Sequence, residues 1–276
     1  MTLLGQTLTA CNGPLLAELI TDGLIDVVEF CPDAMLRSES GRKHLRARLA
    51  GLGVPYSFHF TELQIGSPDF LRRWSQEEWR LALADFEPIV VSAHVSASIV
   101  GSFKYEGNLP CVHNERGLAT IVENATHLAQ ALPCGTPLLL ENIPCQFEFT
   151  ASTMTHEDFV LAVVELSPAE LLLDLCNLYV HVRNRHVDPF EVIEAIPASF
   201  VQEIHLAGGE VYPASGEYLD THSRPVPGEV FELFEVAMAR FNPALVVIER
   251  EQEFGSAEHI CRDLERARAI IERHGS

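Results

Sequence analysis

The sequence predicts an α/β chain folded as a single (β/α)8 TIM barrel over residues 1–276. Three observations predict it. Short apolar, β-branched runs alternate with amphipathic helical runs, the signature of a parallel sheet built from βα units. Eight runs of each kind fit into 276 residues, the size of such a barrel. Ionisable residues collect at the carboxyl ends of the apolar runs, where a barrel keeps its chemistry. A doubly wound open sheet is the alternative arrangement of the same elements.

Strands are expected at 3–9, 26–31, 56–61, 89–96, 137–143, 170–176, 201–206 and 245–251. Helices are expected between them at 14–21, 41–52, 76–86, 115–132, 156–166, 189–196 and 228–241, and at 257–274 after the last strand. Several starts carry a capping signal. Ser75 precedes Gln76-Glu77-Glu78, and Thr155 precedes His156-Glu157-Asp158. Asp188 precedes Pro189, at a first helical position. Loops at 101–114 and 207–228 follow strands, which puts them on the catalytic face.

The bulk composition narrows the function. At 47% hydrophobic and 21% charged, the chain has ample material for a core. Its formal charge of −20, from 19 Lys plus Arg against 39 Asp plus Glu, lacks the basic footprint of a nucleic-acid binder. It contains no apolar run of about 18 residues, so no membrane span is expected. The start, Met1-Thr-Leu-Leu-Gly-Gln-Thr7, lacks the pattern of a signal peptide. Seven scattered Cys with no Cys-x-x-Cys pair suit reduced thiols, and a cytoplasmic location is expected.

The stretch from Phe200 to His222 holds a strand ending in His205, a Gly208-Gly209 turn and then Asp220-Thr-His222. Other strands end in the same way, with His59, His94, Glu141, Asp174, Asn177 and Glu249. A buried parallel strand admits ionisable groups only at a cost. In a barrel these nine residues face one mouth: four imidazoles, four carboxylates and an amide. Cations are the natural compensation. Nine donors suit two or three ions sharing bridging carboxylates, with Glu141 the central bridge and Asp220, His222 and Asn177 on an outer ion. His with carboxylate, and without Cys, suits Fe, Zn or Mn rather than a closed structural zinc site.

The plainer readings differ by position. Glu29 reads as a hydrogen-bonded core group and Cys176 as packing. His44, His127, His156, His259 and His274 read as surface residues of helices. His113, His181 and His186 read as solvated loop residues on the catalytic side.

Six runs in order, Val91-Ser-Ala-His94, Leu138-Leu-Leu-Glu-Asn142, Leu172-Leu-Asp-Leu-Cys-Asn177, Glu203-Ile-His-Leu-Ala-Gly208, Asp220-Thr-His222 and Val247-Ile-Glu-Arg250, resemble the MbnB/TglH-like family. Its members are multinuclear non-haem iron oxidative enzymes on a xylose-isomerase-like barrel. The resemblance implies two or three Fe2+/Fe3+ ions, O2 as oxidant, and a Cys of a ribosomally synthesised precursor peptide as substrate in natural product biosynthesis. It also implies a small peptide-presenting partner protein. Carried over by position, it makes His59, His94, Glu141, Asp174, Asn177, His205, Asp220, His222 and Glu249 the metal ligands, with Glu141, Asp174 and His205 at the catalytic centre. Two positions depart from the family pattern: Ala93 stands where Glu is frequent, and Gly209 where His is frequent.

The same spacing resembles the three-zinc endonuclease IV site, with Asn177 in place of a His. An amide is the poorer zinc ligand, and the acidic charge does not suit a DNA enzyme. Two further alternatives to the iron oxidase are a sugar isomerase or epimerase and a metal-storing barrel without turnover.

Overall fold

The computed structural model describes residues 1–9, 12–73, 75–105, 107–185, 187–252 and 257–274. The chain begins β1 (Leu3–Leu8), α1 (Gly13–Thr21), β2 (Val27–Phe30), α2 (Asp33–Leu36), α3 (Glu39–Ala50), β3 (Tyr56–Phe60), α4 (Phe70–Arg73) and α5 (Gln76–Leu83). It continues β4 (Val91–His94), β5 (Ile99–Val100), β6 (Phe103–Lys104), α6 (Glu115–Ala131), β7 (Leu138–Glu141), α7 (His156–Leu166), β8 (Glu170–Asp174) and α8 (Leu175–Arg185). It ends α9 (Pro189–Ala195), β9 (Val201–Ala207), β10 (Glu210–Val211), β11 (Tyr218–Leu219), α10 (Gly228–Arg240), β12 (Leu245–Glu249) and α11 (Ala257–His274).

Eight strands close as a barrel in the order β1-β12-β9-β8-β7-β4-β3-β2. They are the eight expected from the sequence. The pairs β5–β6 and β10–β11 are small antiparallel hairpins in the connections after β4 and β9. No helix among the described residues is long and apolar enough to cross a membrane.

The chain packs as two compact units, Met1–Phe30 with Leu172–Ser276, and Cys31–Leu171. In the first, β1 pairs with β2 and β12, and β12 pairs with β9 in a register that sets Val247 beside His205 and Glu249 beside Ala207. Val27, Leu245 and Val247 form an apolar cluster there, with Leu3 packed against it. In the second, β3, β4 and β7 run side by side, setting His59 beside Ser92 and His94 beside Glu141. Phe60 meets Trp79 edge-on at 5.2 Å, and Phe58 meets Phe86 at 5.5 Å, so aromatic rings join β3 to the α5 region.

The capping signals act as expected. Ser75 and Glu78 form a reciprocal capping box at α5. Thr155 caps α7, and Asp188 caps α9 ahead of Pro189.

One expectation needs correction. The sixth strand ends at Asp174 rather than running to residue 176, and α8 follows it without a loop. The cause is Asp174 itself, whose Oδ1 accepts the Asn177 amide hydrogen at 2.6 Å, satisfying one donor of the first helical turn. Cys176 and Asn177 therefore lie on a helix. His181, expected in a loop, is also on α8 and buried.

Candidate metal centre

In the unit Cys31–Leu171, the strand ends of β3, β4 and β7 bring His59, His94 and Glu141 together. Glu141 Oε2 lies 3.4 Å from His59 Nε2 and 3.3 Å from His94 Nε2. The two imidazoles meet edge-on, 4.7 Å between centroids. One donor atom from each of the three residues lies within 4.8 Å of the others, and all three are buried. Ser92, two residues before His94 on β4, places its hydroxyl 2.9 Å from His59 Nδ1. That contact occupies the far nitrogen and turns Nε2 toward Glu141, as outer partners orient metal-binding imidazoles.

The unit Met1–Phe30 with Leu172–Ser276 holds the other six predicted residues. His205 lies between carboxylates: Nδ1 is 3.2 Å from Glu249 Oε2, and Nε2 is 3.4 Å from both Glu29 Oε1 and Glu203 Oε1. Burial alone would lower the His205 pKa, but Glu249 and Glu29 outweigh it and hold the ring well above its ordinary value. Burial pushes Glu29 from 4.5 to about 7 against the pull of His205. Asp174 is pushed well above the usual carboxylate range by burial first, then by Asp220 and Glu249.

On the loop after β9, Asp220 Oδ2 lies 2.6 Å from His222 Nε2, and Glu249 Oε2 is 3.7 Å from the same nitrogen. His222 Nδ1 faces Glu251 Oε2 at 3.7 Å. The His222 backbone has φ of 50°, a left-handed conformation that costs a residue with a Cβ about 1–3 kcal/mol. Its carbonyl accepts the amide hydrogens of Glu251 at 3.0 Å and Gln252 at 3.4 Å, which holds it there. The Cys176 thiol donates to Asp220 Oδ1 at 3.3 Å and is pushed well above its ordinary pKa by burial and by Asp220. It stays protonated. Asn177 is buried and fixed through its amide to Asp174.

Both groups can hold metal. Each offers imidazole and carboxylate donors in a buried setting, a chemistry that suits iron, zinc or manganese. In the second group, Glu29, Asp174, Glu203 and Glu249 are all buried near one imidazole, a concentration of acid that a cation would compensate.

Several residues escaped the sequence reading. Glu29 is not only a core group, since it faces His205. Glu203 stands two residues before His205, on the same face of β9; that period-two spacing was the available signal. Glu251 repeats the pattern two residues after Glu249. His113, expected as a solvated loop residue, and His156, expected at the surface, are both buried, with rings 5.3 Å apart. His44 and His259 are exposed as expected, and His186 lies outside the described residues.

Comparison with known proteins adds the following. The family described as RiPP precursor modification enzyme MbnB/TglH/ChrH matches residues 12–272. A UPF0276 protein of Caulobacter vibrioides is 33% identical over 222 residues, 78% of this chain and 75% of that protein. The UPF0276 protein RB0508 of Rhizobium meliloti is 29% identical over 225 residues, 80% of this chain and 72% of that one. Among solved structures, D-psicose 3-epimerase from Clostridium cellulolyticum H10 covers 99% of both chains with a TM-score of 0.59 at 16% identity. The IOLI protein with a bound zinc atom covers 100% of both with a TM-score of 0.59 at 11% identity. At these identities the two structures establish the xylose-isomerase-like TIM-barrel fold alone.

Proposed function

We propose a function from one premise: this chain belongs to the MbnB/TglH/ChrH family of RiPP precursor modification enzymes. The protein is an iron-dependent oxidase or oxygenase that uses O2 to modify a Cys of a ribosomally synthesised peptide. The observation that carries the reading is the pair of buried imidazole–carboxylate groups at the ends of barrel strands.

His59, His94 and Glu141 would hold one ion. Asp174, His205 and Glu249 would hold another, and Asn177, Asp220 and His222 a third. Bound iron supplies electrons for O2 reduction and acidifies a coordinated substrate thiol. The chain's own part is placement and exclusion. Ser92 fixes the ring of His59, and Glu141 faces two imidazoles at once. Glu29 and Glu203 hold the far nitrogen of His205, leaving Nδ1 toward Glu249.

The test begins with metal analysis of protein purified without oxygen. Two or three irons per chain are expected, and iron-loaded protein should take up O2 with its Cys-containing peptide. Three zincs would move the reading to phosphodiester hydrolysis. Interconversion of a small sugar without O2 would make the protein an epimerase. Iron-loaded protein that consumes no O2 with the peptide overturns the oxidative reading.

A further inference from the structure

A third set of donors lies within the unit Cys31–Leu171 and shares no residue with either group. His113 stands just before the Asn114 cap of α6, Cys145 four residues past the end of β7, and His156 is the first residue of α7. They are 1%, 0% and 4% exposed. One nitrogen or sulfur from each lies within 4.8 Å of the others. Phe159 packs on the His113 ring at 4.7 Å between centroids. Unlike the other two groups, this one contains a thiol and no carboxylate.

The segments are already held in place by backbone bonds. The His113 carbonyl accepts the amide hydrogens of Thr153 at 2.8 Å and Met154 at 3.1 Å. The His113 amide donates to Ser152 Oγ at 3.1 Å. The three side chains are thus presented by a framework that does not depend on them.

We propose that His113, Cys145 and His156 form a separate thiophilic metal site that takes Zn2+ and pins the segment following β7. Two imidazoles with a thiolate are a zinc donor set, and a water completes four-coordination. Binding exchanges the Cys145 thiol proton for the ion: the S–H bond breaks, the S–Zn bond forms, the proton leaves to solvent, and nothing is oxidised or reduced. Cys111 is the nearby rival sulfur. The pinned segment carries Phe147 and Phe149, both 40% exposed, with rings 5.4 Å apart. The site's role is to hold those two rings in place at the surface.

Cobalt substitution of the full-length protein tests this, because a thiolate gives Co2+ a near-ultraviolet charge-transfer band that imidazole and carboxylate do not. Titration with Co2+ is expected to develop that band, retained in Cys111→Ser and Cys176→Ser and lost in Cys145→Ser and His156→Gln. A wild-type protein without the band, or a band that survives Cys145→Ser, overturns the site. Should Cys145→Ser fail to fold, X-ray absorption of the zinc-loaded wild type decides. A sulfur shell at about 2.3 Å, diluted by the zinc that the other two groups bind, supports the proposal, and nitrogen and oxygen alone overturn it. Iron content and O2 uptake are read independently, so failure of the oxidative reading leaves the sulfur signal standing.

Discussion

The Ser92 hydroxyl lies 2.9 Å from His59 Nδ1, on the side of the ring opposite Glu141. That contact decides which imidazole nitrogen is turned to the carboxylate. Ser92→Ala is expected to weaken metal binding by His59, His94 and Glu141 about 10- to 100-fold, the usual effect of losing an outer partner. The metal-free fold should lose only about 1 kcal/mol. Chelator competition measures the first and urea unfolding the second. Unchanged affinity would show that the ring is held by packing alone.

Gly209 is the second of the Gly pair that follows β9, and its surroundings require the absence of a side chain. A Cβ there would lie 1.9 Å from the Leu219 carbonyl oxygen and 3.0 Å from the Tyr218 ring. The β10–β11 hairpin has taken the space. Gly209→Ala is expected to destabilise the fold by about 1–3 kcal/mol, as overpacking does. Thermal unfolding checks it, and an unchanged Tm would mean that the hairpin yields freely.

His222 combines a side chain aimed at Asp220 with a backbone at φ of 50°. Replacing it by Gly and by Ala separates the two. Both variants should lose metal from this loop. In the metal-free state the Gly variant should be the more stable by about 1 kcal/mol, because only Ala keeps a Cβ in the left-handed conformation. Equal stabilities would argue that the loop relaxes once the imidazole is gone.

Asp33 offers a pH test at a carboxylate outside the predicted ligand set. Its carboxylate accepts the amide hydrogens of Thr61 at 3.1 Å and Glu62 at 3.0 Å, just past the end of β3. Burial raises its pKa above 3.8 more than those bonds lower it. A raised folded-state value means a contribution present below 3.8 and lost as pH climbs through the folded value. The stability of the wild type relative to Asp33→Asn should therefore decline as pH is raised from 3.8 upward. Urea unfolding of both proteins across the acid range measures it; a relative stability that climbs instead would reverse the sign.

The barrel was legible because eight apolar runs and their caps repeat a single βα pattern, and that pattern is local. The α8 helix was not. Leu171-Leu-Leu-Asp-Leu-Cys-Asn-Leu178 is apolar on both sides of Asp174, and α8 is buried over most of its first half, so no change of period marks the switch from strand to helix. Only the capping role of Asp174 marks it. Strand-end donors could be placed by counting along each strand. His113, Cys145 and His156 could not, because two separate connections, the one before α6 and the one from β7 to α7, bring them together and no spacing in the sequence encodes their meeting.

Asn184 pairs twice with the backbone of Tyr218, donating to its carbonyl at 3.1 Å and accepting its amide hydrogen at 3.3 Å, while the Tyr218 hydroxyl accepts from Gly209 at 2.8 Å. This fastening lies between the hairpin tip at 212–217 and Asp220. Exchange of residues 212–217 is therefore expected to leave metal binding by Asp220 and His222 unchanged, which chelator competition checks. The tip is the natural graft point of the loop, where the surface offered to other molecules can be rewritten while the acid–imidazole pair keeps its address.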